Sequence, residues 1–456
     1  MTTQHYDYDL IIIGGGPVGM ALALALRGSG TRVLLLEARG LPAKTEDPRP
    51  LALSHGSRLI LQRLGIWNVL PEATPITTIH ISNRGGCGRT ILTAAEAGVP
   101  ALGYVLNHHD LFRAMHDALP KANKKAARKA DEKPVGKPCA DIDYLTGAQV
   151  TRIDGSAEFG QVEFKHEGIT KIKTARLLAV ADGGRLTGQI EEVTQHVQDY
   201  QQWAVVAHVK TEHNSDFSSD SLAKSALRKR ESAPSNVRPS RAAAQPATRS
   251  TTQHTKAGTG AISMGRVAYE RFTPDGPVAL LPFGKHFALV WTVSPSAAQE
   301  ILGLDDTAFL ARLHAHFGDR VGNFIEAGQR SGFPLALKYV EPVTASHMVL
   351  VGNAAQTLHP VAGQGFNLGL RDAWELAEEI IASPLDVGSS AMLARYRDKR
   401  RMDSSVGRVF TDSLVRLFSN DNLVLGTMRS LGLSALDCLP QAKRCVARRM
   451  MFGARG

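Results

Sequence analysis

Residues 10–13 are an unbroken apolar run, and they pass directly into Gly14-Gly15-Gly16-Pro17-Val18-Gly19. Beyond this turn, Val18, Ala21, Leu22, Ala25 and Leu26 recur at the spacing of a helix that buries one face. A second apolar run, residues 33–36, ends at Glu37. Strand, glycine turn, helix and strand make a βαβ unit, and such units build parallel sheets. Gly14, Gly16 and Gly19, with an acid 18 residues after the last, match the dinucleotide fingerprint. The glycines let backbone approach a pyrophosphate at the helix N-terminus, and Glu37 accepts hydrogen bonds from a ribose.

A second glycine loop lies far along the chain. Residues 348–351 read as a strand buried on both faces, which breaks at Gly352-Asn353 and loops through His359-Pro360. Pro360 biases His359 toward an extended backbone. Gly363 and Gly365, on either side of Gln364, permit conformations that a side chain would forbid. A helix is expected from about Phe366, with Leu368, Asp372, Glu375, Leu376 and Glu379 at helical spacing. Its free N–H groups and positive dipole end then face the loop, where they stabilise an anion or an electron-rich ring edge. A further buried strand, residues 177–181, ends at Asp182-Gly183. Such a pair marks a hairpin turn or, at the carboxyl edge of a parallel sheet, a carboxylate near a ligand.

Between these elements the pattern changes. Residues 39–50 read as a polar loop carrying Arg49, and helices are expected over residues 53–64, 110–119 and 306–317. Short β-prone pieces at 78–83 and 89–94, a strand at 203–209, and three strands at 267–272, 277–283 and 287–293 joined by tight turns predict an antiparallel sheet. Substrate contacts are expected from this sheet, near Phe272, Pro282 and Phe283.

The net charge of +10 is unevenly placed: residues 121–137 carry +5, residues 210–256 carry +5 and residues 395–456 carry +8, leaving the remainder at −8. The first two segments are poor in apolar residues and read as exposed or disordered insertions. No aromatic residues interleave with their charges as a nucleic-acid surface would require, so no nucleic-acid partner is expected. The last sixty residues read as helical, with Val406, Phe410, Leu414 and Leu417 on one face and basic residues at Lys443, Arg444, Arg448 and Arg449. They are a helical cap with a solvated basic edge, or a surface that meets anionic lipid. The four cysteines form no metal-ligand or redox spacing, so no metal site is expected. No apolar run reaches the length of a spanning helix. The expected setting is the cytoplasm, with room for peripheral attachment to the inner face of the cell membrane.

GGGPVG with Glu37, ADG at 181–183 and GNAAQTLHPVAGQGFNLGLRD at 352–372 together resemble the FAD-dependent aromatic hydroxylases, or class A flavoprotein monooxygenases. The third element is most similar to the branch that hydroxylates polyprenylated phenols in ubiquinone biosynthesis, and within it to the 2-polyprenyl-6-methoxyphenol hydroxylases. The wider family of flavoprotein hydroxylases usually has Asp at the place of Asn353 and His at the place of Gln356; an amide still hydrogen-bonds a ribityl hydroxyl. The resemblance implies an α/β fold. A Rossmann-like FAD-binding domain (1–75, 105–190 and 330–395) would interleave with an antiparallel substrate domain (76–104 and 191–329). Basic insertions at 120–140 and 211–260 and a helical region at 396–456 complete the chain.

The same resemblance implies FAD as cofactor, NAD(P)H as electron donor and dioxygen as co-substrate, with oxygen transferred through a flavin hydroperoxide. Gly14, Gly16 and Gly19 would cradle the pyrophosphate, Glu37 hold the adenosine ribose and Arg49 lie near the pyrophosphate or a moving flavin. Gly352 and Asn353 would meet the ribityl chain with Asp182 nearby. His359, Pro360 and Gln364 would stand at the reacting centre, and Gly363, Gly365 and Asn367 beside the isoalloxazine ring. Other enzymes of a quinone pathway are implied partners. Flavin halogenases on the same architecture need a Trp-x-Trp signature, and Trp67, Trp203, Trp291 and Trp374 are all isolated. A non-catalytic prenyl-lipid carrier would have no use for the HPxxGQG loop.

Overall fold

A computed structural model describes residues 6–40, 50–71, 73–86, 88–120, 142–155, 158–212, 266–359, 363–418 and 423–453. The expected insertions, apart from a few flanking residues, fall outside the described residues, as do Arg49 and Pro360. The chain opens as predicted, with β1 (Tyr8–Ile13), α1 (Pro17–Ala25) and β2 (Val33–Glu37). There follow β3 (Pro50–Ser54), α2 (His55–Arg63), β4 (Thr74–Ile76), β5 (Thr78–Asn83), β6 (Arg89–Thr93), a short α3 (Ala94–Ala97), β7 (Gly103–Asn107) and α4 (His108–Ala118). The helix expected from residue 53 starts two residues later, because Leu53 pairs with Tyr104 in a small three-stranded sheet and Ser54 caps α2 through its hydroxyl.

Next come β8 (Ile142–Thr146), β9 (Gln149–Gly155), β10 (Gly160–His166), β11 (Ile169–Val180) and β12 (Thr194–Thr211). The later strands are β13 (Val267–Thr273), β14 (Gly276–Phe283) and β15 (His286–Val293), then β16 (Phe324–Ala327) and β17 (Ser331–Glu341) after helices α5 (Pro295–Gly303) and α6 (Asp306–Phe317). The chain closes with β18 (Thr344–Ala345), β19 (Met348–Leu350), β20 (Gln356–Thr357) and helices α7 (Gln364–Ala382), α8 (Ser390–Phe418), α9 (Leu423–Cys438) and α10 (Pro440–Phe452).

The parallel sheet has the order β18-β19-β11-β1-β2-β8, with the β9–β10 hairpin attached to the long β11. β1 lies between β2, reached through α1, and β11, so the strand order reverses at its carboxyl end. That is where α/β sheets bind ligands. Alternate residues of these strands serve two cores: Leu10, Ile12, Val33, Leu35 and Leu177 pack against α1 and α7, while Ile11, Ile13, Leu34 and Leu178 pack against β9 and β10.

The antiparallel sheet, β20-β17-β12-β15-β14-β13-β5-β6, contains the three predicted strands and gains a parallel contact between β13 and β5. β12 is 18 residues long where a strand over 203–209 is expected. Its polar first half, TQHVQDYQQ, carries no apolar run, yet is held extended by pairing with β17. One face of this sheet is sealed by α5 and α6 through Val278, Leu280, Leu289, Trp291, Phe309, Leu313 and Phe317. The opposite face is left for something else.

The two sequence-distant glycine elements are locked together. A Cβ on Gly369 would lie 3.0 Å from both Gly352 Cα and Val18 Cγ2, so the backbones of α7 and of the loop after β19 meet, with the Val18 side chain of α1 against both. The Gly352 N–H donates to Asp372 Oδ2 at 3.0 Å, and Asp372 Oδ1 accepts from Arg400 Nε at 2.7 Å. Arg400 also donates to Asp403 at 2.7 Å and reaches Glu375 at 3.4 Å. Burial opposes its charge, but the carboxylates of Asp372, Asp403 and Glu375 outweigh that and raise its pKa. Arg400 is 2% exposed. Arg400→Met leaves the buried Asp372 without its cation, while Asp403 keeps Arg371 at 3.2 Å, and is expected to lower unfolding stability by about 3–5 kcal/mol in urea titration. A loss below roughly 1 kcal/mol would mean that the cluster does not hold α8 to α7.

Candidate active site

At the end of β1, Gly14 adopts φ +112° and passes so close to Ala181 that a Cβ would lie 2.4 Å from its carbonyl oxygen. A Cβ on Gly19 would lie 2.0 Å from Gly14 O, so this glycine lets the helix sit against the turn. Gly16 differs: a Cβ there would meet nothing within 4 Å. Open space above Gly16, next to a helix whose first turn has no side-chain cap and no acid, is the concavity a pyrophosphate fits.

Glu37 is buried beside it, its Oε2 accepting from Gly15 N at 2.8 Å and its Oε1 from the backbone and guanidinium nitrogens of Arg39 at 3.0 and 2.9 Å. Tyr144 is pushed up to about 12 by burial and by the Glu37 charge. Asp182 forms no hairpin: its carboxylate accepts from Gly184 N and Leu186 N, both at 2.8 Å, and so closes the turn that follows β11. Gly184 in that turn approaches the backbone of Asn353, which brings the second and third sequence elements together.

The loop after β19 passes Gly352 (φ +60°) and Asn353 in a single 3-10 turn, then pairs Gln356-Thr357 with β17. Gln356 is buried, with its amide 3.3 Å from Ser404 of α8. His359 departs from the expectation of a residue at the reacting centre. It is 1% exposed, packs edge-to-face on Tyr200 at 5.4 Å between ring centroids, and lines neither of the two cavities described below. Burial lowers its pKa to about 4, so it is neutral at physiological pH and holds the loop down as an aromatic.

Gly363 takes a left-handed conformation (φ +61°) as the N-cap of α7, which starts at Gln364, two residues before the expected start. The first turn of α7 has neither a side-chain cap nor an acid, so its N–H groups face the loop as predicted. A Cβ on Gly365 would meet nothing within 4 Å, whereas Asn367 is fully engaged. The Asn367 amide donates to Ala52 O at 3.0 Å and Gly363 O at 2.7 Å and accepts from Ser54 N at 2.8 Å, stapling β3 to the helix start. β3 was hidden in sequence within a stretch read as loop and helix.

A cavity of 630 Å³ opens from this loop. Gln364, Gly365, Phe366, Asn353 and Thr357 line one end, and the free face of the antiparallel sheet forms its floor through Ile81, Ala204, Val206, Phe272, Leu281 and Val290. Phe272 lies there as expected, but Pro282 and Phe283 do not. Period-2 alternation turns Pro282 to the other face, and Phe283 packs with Ile76 and Val105. The remaining wall comes from the C-terminal helices through Leu433, Leu436, Val446, Ala447, Met450 and Met451.

Those helices are anchored rather than appended: Thr90 Oγ1 donates to Leu433 O at 2.6 Å, Asp437 accepts from Ile91 N at 3.0 Å, and Lys443 pairs with Glu96 at 3.1 Å. Lys443 is therefore buried, not part of a solvated basic edge. Leu417 is exposed rather than on an inward face, and the side chains of Phe410 and Leu414 lie outside the described residues. A second cavity of 440 Å³ adjoins the first, sharing Leu335, Asn353, Thr357 and Leu358.

Two dinucleotide elements meeting over an apolar cavity suit a flavin placed between a nucleotide cradle and a bound hydrocarbon-rich substrate. The family model for the FAD binding domain matches residues 7–405. The chain is 31% identical to the ubiquinone hydroxylase UbiL of Rhodospirillum rubrum over 97% of this chain and 89% of that one. It is 27% identical to the 3-demethoxyubiquinol 3-hydroxylase of Escherichia coli, covering 97% of this chain and 98% of that one. In fold it is similar to the p-nitrophenol 4-monooxygenase PnpA of Pseudomonas putida DLL-E4, with a TM-score of 0.68 at 16% identity over 98% of this chain and 99% of that one. The glycine cradle, the α7 loop and the sheet-floored cavity thus belong to a member of the FAD-binding aromatic monooxygenases, in the ubiquinone-hydroxylase family.

Proposed function

We propose that this chain hydroxylates a polyprenylated phenol of the 2-polyprenyl-6-methoxyphenol type, using NAD(P)H and dioxygen. The observation that carries the reading is the cavity itself: 630 Å³, apolar along the C-terminal helices and, apart from Glu270, along the sheet floor, and polar where the α7 loop opens into it. A ring with a long isoprenoid tail has that polarity. When bound, FAD supplies the chemistry that carries reducing equivalents from NAD(P)H to dioxygen and delivers one oxygen atom to the ring.

The residues of the chain divide the remaining tasks. Gly14, Gly16 and Gly19 would hold the pyrophosphate, Glu37 the adenosine ribose after exchanging its bond to Arg39, and Gly352 and Asn353 the ribityl chain with Asp182 shaping the adjacent turn. Gly363, Gln364 and Gly365 would border the ring system, and the N–H groups at the start of α7 stabilise negative charge there. Asn367 fixes that border to β3. Ile81, Val206, Phe272 and Val290 exclude water from the reacting carbon.

The exposed side of the C-terminal helices supports a lipid-facing role. Met428, Leu431 and Leu439 are 61%, 65% and 56% exposed, while Arg444, Arg448 and Arg449 are exposed on α10. Apolar and basic groups side by side suit an anionic bilayer surface. Among the described residues, no helix is long and apolar enough to cross a membrane.

Three outcomes are expected. Cells lacking the gene accumulate a polyprenyl methoxyphenol that lacks one ring oxygen, seen by mass spectrometry, and restoring the gene clears it; accumulation of a differently substituted ring moves the position, and an unchanged quinone profile removes the pathway. Gly16→Ala leaves the stability of the FAD-free chain within about 0.5 kcal/mol, because its Cβ meets nothing. In fluorescence titration the same variant weakens FAD binding on the order of tenfold, and unchanged affinity would exclude Gly16 from the cradle. Replacing Met428, Leu431 and Leu439 by Ser together lowers co-sedimentation with anionic vesicles severalfold while turnover of a short-tailed phenol persists. Wild-type sedimentation would refute the docking face.

A further inference from the structure

Glu270 stands in the middle of the cavity floor. Among the described residues that line the cavity it is the one charged side chain. Its strand, β13, lies between β14 and β5, where Glu270 pairs with Ala279 on one side and Ile81 on the other. Ala268 and Phe272, two residues before and after, line the cavity with it, while Val267 and Tyr269 pack into the core on the opposite face. Among the described residues, the carboxylate has no hydrogen-bond or ion-pair partner. Set beside Ala268, Phe272, Ala279 and Ile81, a charged acid is unfavourable unless a polar group in the cavity meets it.

We propose that the Glu270 carboxylate accepts the proton of the phenolic hydroxyl of the bound substrate, which both orients the ring and activates it. The O–H bond breaks, the proton passes to a carboxylate oxygen, and the electron pair stays on the phenolic oxygen. From there it is delocalised onto the ring carbons ortho and para to it, the positions open to electrophilic oxygen. This assignment rests on the phenol reading of the cavity.

Burial raises the carboxyl of Glu270 to about 7, close to the working pH and thus suited to a proton acceptor. No neighbouring charge contributes to that shift. Arg271 alternates onto the sheet's other face, His80 on β5 lies there tilted against Tyr269 and bonds Arg320, and on the helices Asp437 and Lys443 are engaged with Ile91 and Glu96. A base must be ionised, so hydroxylation is expected to rise with pH through about 7 and to level off above it.

The test uses the FAD-loaded enzyme, Glu270→Gln and Glu270→Asp. With a farnesylated phenol, Glu270→Gln is expected to lose on the order of a hundredfold in hydroxylation and to lose the acid limb of the pH profile, with Glu270→Asp recovering part of both. Binding is read separately by equilibrium dialysis of the farnesylated phenol and its methyl ether, which cannot donate a proton. Wild type at pH 8 should prefer the phenol by on the order of tenfold, and Glu270→Gln, whose amide accepts a hydrogen bond but not the proton, should lose most of that preference. If Glu270→Gln keeps the preference and the acid limb, Glu270 is not the acceptor, although the substrate class stands. If wild type turns over no prenylated phenol and does not discriminate phenol from ether, the substrate class and the acceptor both fall. A lost preference without turnover keeps the acceptor and rejects only that ring as substrate.

Discussion

A single buried carboxylate, Asp372, ties the loop after β19 to the rest of the molecule. One of its oxygens takes the N–H of Gly352, where the chain leaves the parallel sheet in a left-handed conformation, and the other takes Arg400 from α8. Through Arg400 the same cluster reaches Asp403 and Glu375. The loop between β19 and α7 is therefore fixed at its start by an ion cluster and at its end by Asn367, whose amide is spent on the backbone of β3 and Gly363. A cofactor pocket held at both ends by buried polar groups keeps its shape because loosening either end leaves a charge or an amide unsatisfied in the interior.

The cavity and the core use the same sheet from opposite sides. Strands β12 to β15 send one set of alternating side chains into a core closed by α5 and α6, and the other set into the space above the loop. Strict period-2 alternation makes this division automatic. It also decides where Glu270 points: a register slip that gave it the place of Tyr269 would set its carboxylate against Phe287 and Phe317.

Much of the cofactor half was legible because its signals are local. A glycine turn between an apolar run and an amphipathic helix, with an acid at the right distance, dictates a βαβ unit whatever surrounds it, and β1, α1 and β2 follow within a residue or two. The start of α7 was readable for the same reason, from glycines and helical spacing. Elements stabilised by partners distant in sequence were not. The polar first half of β12 is a strand because β17 lies beside it, and Pro50–Ser54 is a strand because of β7 and Asn367. His359 reads as reactive beside a proline and a glycine loop, yet Tyr200, more than 150 residues earlier, buries it. Glu270 gave no signal in VAYERF beyond an acid in a strand; only the sheet reveals that the face it occupies is a cavity floor.

The C-terminal helices have two occupied sides. Leu433, Leu436, Met450 and Met451 look into the cavity, while Met428, Leu431, Leu439 and the arginines of α10 look out. The partition between the ring site and the exterior is thus one helix thick, about 10 Å. If the proposed prenylated phenol is the substrate and the molecule rests on a bilayer through that side, the far end of the isoprenoid chain need not leave the lipid when its aromatic head reaches the α7 loop. Capture would then resemble threading rather than extraction, and the energetic cost of drawing a many-carbon tail through water would never arise.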